Sequence, residues 1–127
     1  MVPKISSGAN LRTYRLAFAA TSEDTVALGG TVLDGLSGIV TTMNRVNGIY
    51  EREVSVRMVL VGNNDSIIYA NAGTDPYVDD LSQADLTANQ SNLTSLIGSA
   101  NYDIGHLVGT GGGGIASFVA ESHSRCL

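Results

Sequence analysis

The residues best placed to do chemistry lie in "YDIGHLVGTGGGGIASF", from Tyr102 to Phe118. An apolar run there leads into Gly109, Thr110 and then four consecutive glycines, Gly111 to Gly114. The spacing matches G-x-G-x-x-G after a strand, a pattern that cradles a dinucleotide pyrophosphate. That chemistry also requires a helix opening at the last glycine and an acidic residue about twenty positions further on. Only thirteen residues follow Gly114, and they begin "IASFVA", as a strand does. The nucleotide reading therefore fails in its context, and no G-x-x-x-x-G-K-[ST] phosphate loop occurs in the chain.

The remaining candidates are dispersed. A zinc centre needs three or four converging ligands, and its strong signal is two histidines one helical turn apart with a glutamate between them. His106 lies inside the strand pattern and reads as structural, while His123 sits in a polar tail and reads as solvated. Cys126 is the sole cysteine, so no intrachain disulfide can form, and it reads as a stray thiol rather than a nucleophile. Asp75, Asp79, Asp80 and Asp85 offer oxygen ligands, yet without D-x-[DN]-x-[DN]-G spacing they read as a solvated loop rather than a calcium site. Three N-x-[ST] triplets start at Asn64, Asn89 and Asn92, a pattern too common to carry weight. There is no G-x-S-x-G elbow, and neither histidine stands beside an evident acid or nucleophile.

The elements that must position these residues are clearer. "LRTYRLAFAAT" ends in the unbroken apolar run Leu16 to Ala20, which reads as a strand covered on both faces. "SEDTVALGG" breaks that pattern. Val32, Leu36, Ile39, Met43, Val46 and Tyr50 are then spaced to share one face of a long helix. Thr31 with Asp34 three residues on resembles a capping box at its start. Gly35 and Gly38 each cost this helix about 1 kcal/mol relative to alanine, which close packing of that turn on a sheet would offset. "EREVSVRMVLVGNND" alternates at Val54, Val56, Met58 and Leu60 and reads as a second strand.

"SIIYA" is a candidate short element, and "NAGTDPYVDDLSQAD" is a loop. A second helix is expected over residues 82–99, with Leu86, Leu93, Leu96 and Ile97 apolar and Gly98 near its C-terminal end. Tyr102 to Val108 is another strand, and Ile115 to Ala120 one more. Alternation of strand and helix points to a layered α/β domain with right-handed crossovers.

Composition sets the outer bounds. The chain has 127 residues, 43% of them hydrophobic and 15% charged, which suits one packed domain rather than a disordered segment. Its net charge of -5 and lack of a basic patch argue against nucleic acid as a partner. No apolar run approaches the roughly 18 residues that span a bilayer, so no membrane partner is expected. "MVPKISSGANLRTYR" lacks the apolar core of a signal peptide.

Taken in order, "LRTYRLAFAAT", "TTMNRVNGIYEREVSVRMVLVGNND", "DPY" and "SANYDIGHLVGTGGGGIAS" resemble the N-terminal part of the catalytic domain of bacterial reprolysin-like zinc metallopeptidases, of the metzincin clan. The resemblance runs from about Leu11 to about Ser117. It implies a metzincin-like upper subdomain: a twisted, mainly parallel sheet of four to five strands, with an antiparallel edge strand and two long helices. Residues 1–10 would be an N-terminal extension, 11–117 the subdomain, and 118–127 a divergent or frameshifted tail.

In that family the edge strand lines the cleft and pairs with the extended substrate backbone. Gly113, Gly114, Ile115 and Ala116 match the approach to it, so they are the expected substrate-binding residues. Glycines at a strand entrance allow bends and close backbone approach, and strand addition supplies affinity through main-chain hydrogen bonds. The family's zinc ligands and catalytic glutamate reside in H-E-x-x-H-x-x-G-x-x-H, which this sequence does not contain.

The resemblance therefore implies a peptidase fragment with no catalytic or metal-binding residue of its own and no cofactor bound by this chain. Zinc, a peptide or protein substrate and secretion belong to the full-length family. The alternative is a non-catalytic module that binds peptides or a second copy of itself through the exposed edge strand. Some eukaryotic relatives hold calcium through an aspartate equivalent to Asp103. The acidic partner expected in the first strand is Arg15 here, which argues against calcium.

Overall fold

The computed structural model describes residues 10–111 and, as backbone, residues 125–126. Strand β1 (Arg12–Ala20) is followed by helices α1 (Ser22–Ala27) and α2 (Val32–Glu53), then strand β2 (Val56–Leu60). A 3₁₀ turn at Asn64–Ile67 and a long loop lead to α3 (Gln83–Leu96), a second 3₁₀ turn (Ser99–Asn101) and β3 (Ile104–Val108). The two-residue β4 (Arg125–Cys126) pairs beside Ile104 and Gly105 of β3. The sheet order is β2-β1-β3-β4, and every pairing is parallel. The antiparallel edge strand expected over residues 115–120 lies outside the described residues.

β1 shows why the fold is layered. Leu16, Ala17, Phe18, Ala19 and Ala20 are all buried, and alternate side chains go to opposite faces. Leu16, Phe18 and Ala20 meet Ile39 and Met43 of α2, whereas Ala17 and Ala19 meet Leu86 and Leu93 of α3. The helices lie on opposite faces because the crossover from β1 to β2 and the one from β2 to β3 run in opposite directions along the sheet. Five buried side chains at about 1–3 kcal/mol for each large one make this strand the centre of stability.

Helix α2 begins where the sequence places it. Thr31 Oγ1 accepts from the Asp34 amide at 3.1 Å, and the Asp34 carboxylate accepts from the Thr31 amide at 3.2 Å. Of its apolar face, Ile39 and Met43 are buried and Leu36 and Val46 pack against them, while Val32 and Tyr50 at the ends stay exposed. Gly35 makes room for Ile68, which bridges to Ala20 at the end of β1, and for Thr25 of α1, while Gly38 makes room for Leu28 at the end of α1. A Cβ at Gly35 would meet Ile68 Cγ2 at 2.7 Å and Thr25 Oγ1 at 3.2 Å, and one at Gly38 would meet Leu28 Cδ1 at 2.7 Å.

Helix α1 itself is the element that the pattern break at "SEDTVALGG" concealed. Six residues are too few to show a helical period, yet Thr21 with Asp24 repeats the capping signal of Thr31 with Asp34. The chain then turns through Gly29 and Gly30, both at positive φ.

Candidate functional site

In an α/β sheet the default ligand crevice opens at the C-terminal ends of neighbouring strands whose connections diverge. Here those strands are β1 and β3, joined at their ends by the Thr21 amide donating to the Val108 carbonyl at 3.0 Å. The glycine run leaves from this point, so its first half can be described directly. Gly113, Gly114, Ile115 and Ala116 lie outside the described residues, as does His123.

The crevice is filled by the chain's own carboxylates. Asp79, half-buried in the loop before α3, accepts from Thr21 Oγ1 at 2.8 Å, from the Thr110 amide at 2.9 Å and from the Thr110 hydroxyl. Burial alone would push its carboxyl up, but the bonds from Thr110 and Thr21 outweigh burial and hold it below the ordinary carboxylate value. Asp75 accepts from the Ser22 amide at 2.6 Å, at the start of α1. The Ser22 and Thr110 amides therefore already face internal anions, and a phosphate placed at either would have to displace a carboxylate.

Gly109 and Gly111 answer to the same loop. A Cβ at Gly109 would press on the Asp79 carboxylate and lie 3.2 Å from Thr21 Cγ2. One at Gly111 would press on the Asp79 carbonyl and lie 3.0 Å from Asp80 Cα. These glycines let the 79–81 backbone approach the exit of β3.

The acidic loop is not merely solvated. Asp85, 1% exposed, accepts from the amides of Val78, Asp80 and Leu81 at 2.6, 3.1 and 3.0 Å. Asp80 accepts from the Ser82 amide at 3.0 Å, and bonds from Ser82 lower its carboxyl's proton affinity. These carboxylates shape the backbone, a role that composition alone did not reveal. Ser82 followed by Asp85 three residues on was the available signal, a helix N-terminus whose acidic residue faces inward.

Asp103 is likewise engaged. Arg15 Nε and Nη2 donate to its two carboxylate oxygens at 3.1 and 2.9 Å, and the Arg15 amide donates at 2.7 Å. The Arg15 hydrogen bonds hold the Asp103 carboxyl below its ordinary value against the opposing effect of burial. His106 packs edge-on against Phe18, with ring centroids 4.8 Å apart, in keeping with a structural role. Among the described residues, no three His, Cys, Asp or Glu side chains gather where they could hold a metal ion. The described residues thus do not fit a zinc site.

Two asparagines that sequence reading passed over complete the sheet. Asn64 is buried; its Oδ1 accepts from the Phe18 amide at 2.8 Å and its Nδ2 donates to the Phe18 carbonyl at 3.0 Å. It continues the β2 ladder past Leu60, between Val61 bonding Leu16 and Tyr69 bonding Ala20. Asn47 of α2 makes the same paired bonds to Met58, at 2.8 and 2.9 Å, on the outer edge of β2. Burial of Asn64 and Asn89 also removes those two N-x-[ST] triplets as acceptors in the folded chain.

No helix among the described residues is long and apolar enough to cross a membrane. Comparison with curated proteins and with solved structures returned no match. A family model does match, described as metallo-peptidase family M12B, reprolysin-like, over residues 10–124. That span includes all three long strands, both long helices and the glycine run. The chain belongs to the reprolysin-like M12B metallopeptidase family.

Proposed function

We propose that this chain forms the N-terminal wall of a reprolysin-like zinc metalloendopeptidase cleft and does not hydrolyse peptide bonds by itself. Residues 11–117 would be the subdomain, flanked by the extension 1–10 and the divergent tail 118–127. The observation that carries the reading is the family match from residue 10 to residue 124. The family is zinc-dependent and acts on peptides or proteins, and its members are commonly extracellular. The sequence lacks H-E-x-x-H-x-x-G-x-x-H, so water activation would fall to residues outside this chain.

What this chain contributes is backbone. Gly113, Gly114, Ile115 and Ala116 would begin an antiparallel edge strand whose amides and carbonyls pair with an extended substrate. The geometry at Gly109 to Gly111 supports this over an anion site, because the Thr110 amide there already donates to Asp79. Secretion would follow from the parent enzyme.

Two measurements test the reading. The purified chain, incubated with zinc and a quenched fluorogenic peptide mixture, is expected to show no hydrolysis. Activity that survives purification and is abolished by a chelator would overturn the inactivity. A strand-forming peptide titrated into labelled protein is expected to shift the amides of residues 113–116; shifts confined elsewhere would reject the cleft wall.

A further inference from the structure

The loop ahead of α3 is built with strain that the apolar core does not require. Asp79 and Leu81 both hold left-handed backbone, at φ 65° and 54°. Such conformations are costly for residues with a Cβ and persist only where the surroundings enforce them. The enforcement is visible in the three amide bonds that the Asp85 carboxylate accepts from this turn. Its effect is to aim the Asp79 carboxylate between Thr21, at the end of β1, and Thr110, at the end of β3. Gly109 and Gly111 clear the space that the approach needs.

We propose that Asp79 is a positioning residue: by tying Thr110 to Thr21 it fixes the direction in which the chain leaves β3, toward the residues that the cleft-wall reading assigns to peptide binding. The proposal rests on the cleft-wall reading. The strain, the carboxylate bonds and the glycine clearances all converge at the exit of β3. Asp80, the neighbouring carboxylate, bonds locally to Ser82 and does not reach that exit. It is therefore the natural control.

The test uses the full chain and two readouts. One is the affinity for a short fluorescein-labelled peptide of alternating threonine and valine. The other is the set of amide shifts over residues 111–116. Asp79→Ala is expected to weaken the peptide about tenfold or more, as loss of charge-assisted hydrogen bonds does, and to move those amides. Asp79→Asn is expected to lose less, since its Oδ1 still accepts and its Nδ2 can donate to Thr110 Oγ1. Asp80→Ala is expected to change neither readout.

A folded Asp79→Ala variant whose 111–116 amides stay in place would overturn the proposal, as would Asp80→Ala moving them equally. If the wild-type chain binds no peptide, the cleft-wall reading falls, and the amide shifts alone then decide the role of Asp79. Should Asp79→Ala not fold, Thr110→Val removes the hydroxyl from the other side. It is then expected to move the same amides by less, and unmoved amides would reject the clamp.

Discussion

Asn64→Leu probes how the central strand is completed. Leucine has the same branched skeleton as asparagine with bulkier methyl ends, so no cavity opens and any overpacking adds to the cost, but the Phe18 amide and carbonyl both lose their partner. Asn64 is 3% exposed and Phe18 6%, so water cannot readily replace it. Two buried backbone groups left unsatisfied at about 1–3 kcal/mol each give about 2–6 kcal/mol. In urea, with a slope of about 1–3 kcal/mol/M, the unfolding midpoint is expected to drop by at least about 0.7 M.

Asn63→Ala, one residue earlier and exposed, is the control and is expected to stay within about 0.5 kcal/mol of the wild type. Asn64→Asp adds a second signature. At neutral pH its carboxylate keeps the amide bond but opposes the Phe18 carbonyl. On acidification the protonated carboxyl can donate, so part of the loss is expected to return. A leucine variant as stable as the Asn63→Ala control would refute the view that this side chain acts as a ladder rung.

Three further expectations follow from the same contacts. Asp85→Ala is expected to cost about 2–4 kcal/mol, since three amides lose one buried acceptor, with amide exchange rising first at Val78, Asp80 and Leu81. Asn47→Ala is expected to expose Met58 to exchange and open the β2 edge, raising concentration-dependent association in sedimentation; a monomer with a protected Met58 would count against it. Asp79 and Asp103 have lowered carboxyl values when folded, so their contributions are full above the ordinary carboxylate range of about 4 and fade as pH falls through the folded values. Asp24, raised by burial and by the charge of Asp79, has the opposite sign, so Asp24→Asn is expected to raise stability at neutral pH while Asp103→Asn flattens the acid limb of an unfolding series. The Asp103 effect will be small, because Arg15 and Asp103 are 50% and 36% exposed and the pair is screened.

By itself the sequence determined the layered α/β plan, because periodicity reports burial directly. The apolar run Leu16 to Ala20 could only belong to a strand covered on both faces, and the spacing from Leu36 to Val46 could only keep one helical face inward. Local chemistry also announced itself, as in the Thr31 and Asp34 capping box and Gly98, which sits at φ 90° just past α3. The family resemblance, too, was carried by residue order alone.

Tertiary structure decided what the polar residues do. Asn47, Asn64 and Asp79 look alike in sequence to solvated loop or surface residues, since a side chain's partner across a long chain separation leaves no periodic trace. Asn64 reaches Phe18 46 positions away, and Asp79 reaches Thr21 and Thr110 at separations of 58 and 31. Helix α3 shows the same limit from the other side: apolar Leu96 is exposed, while Asp85 and Asn89 are buried. Folding turned Asp85 inward onto three backbone amides and gave Asn89 Oδ1 the Tyr77 hydroxyl as donor, while Asn89 Nδ2 is buried with no hydrogen-bond partner among the described residues.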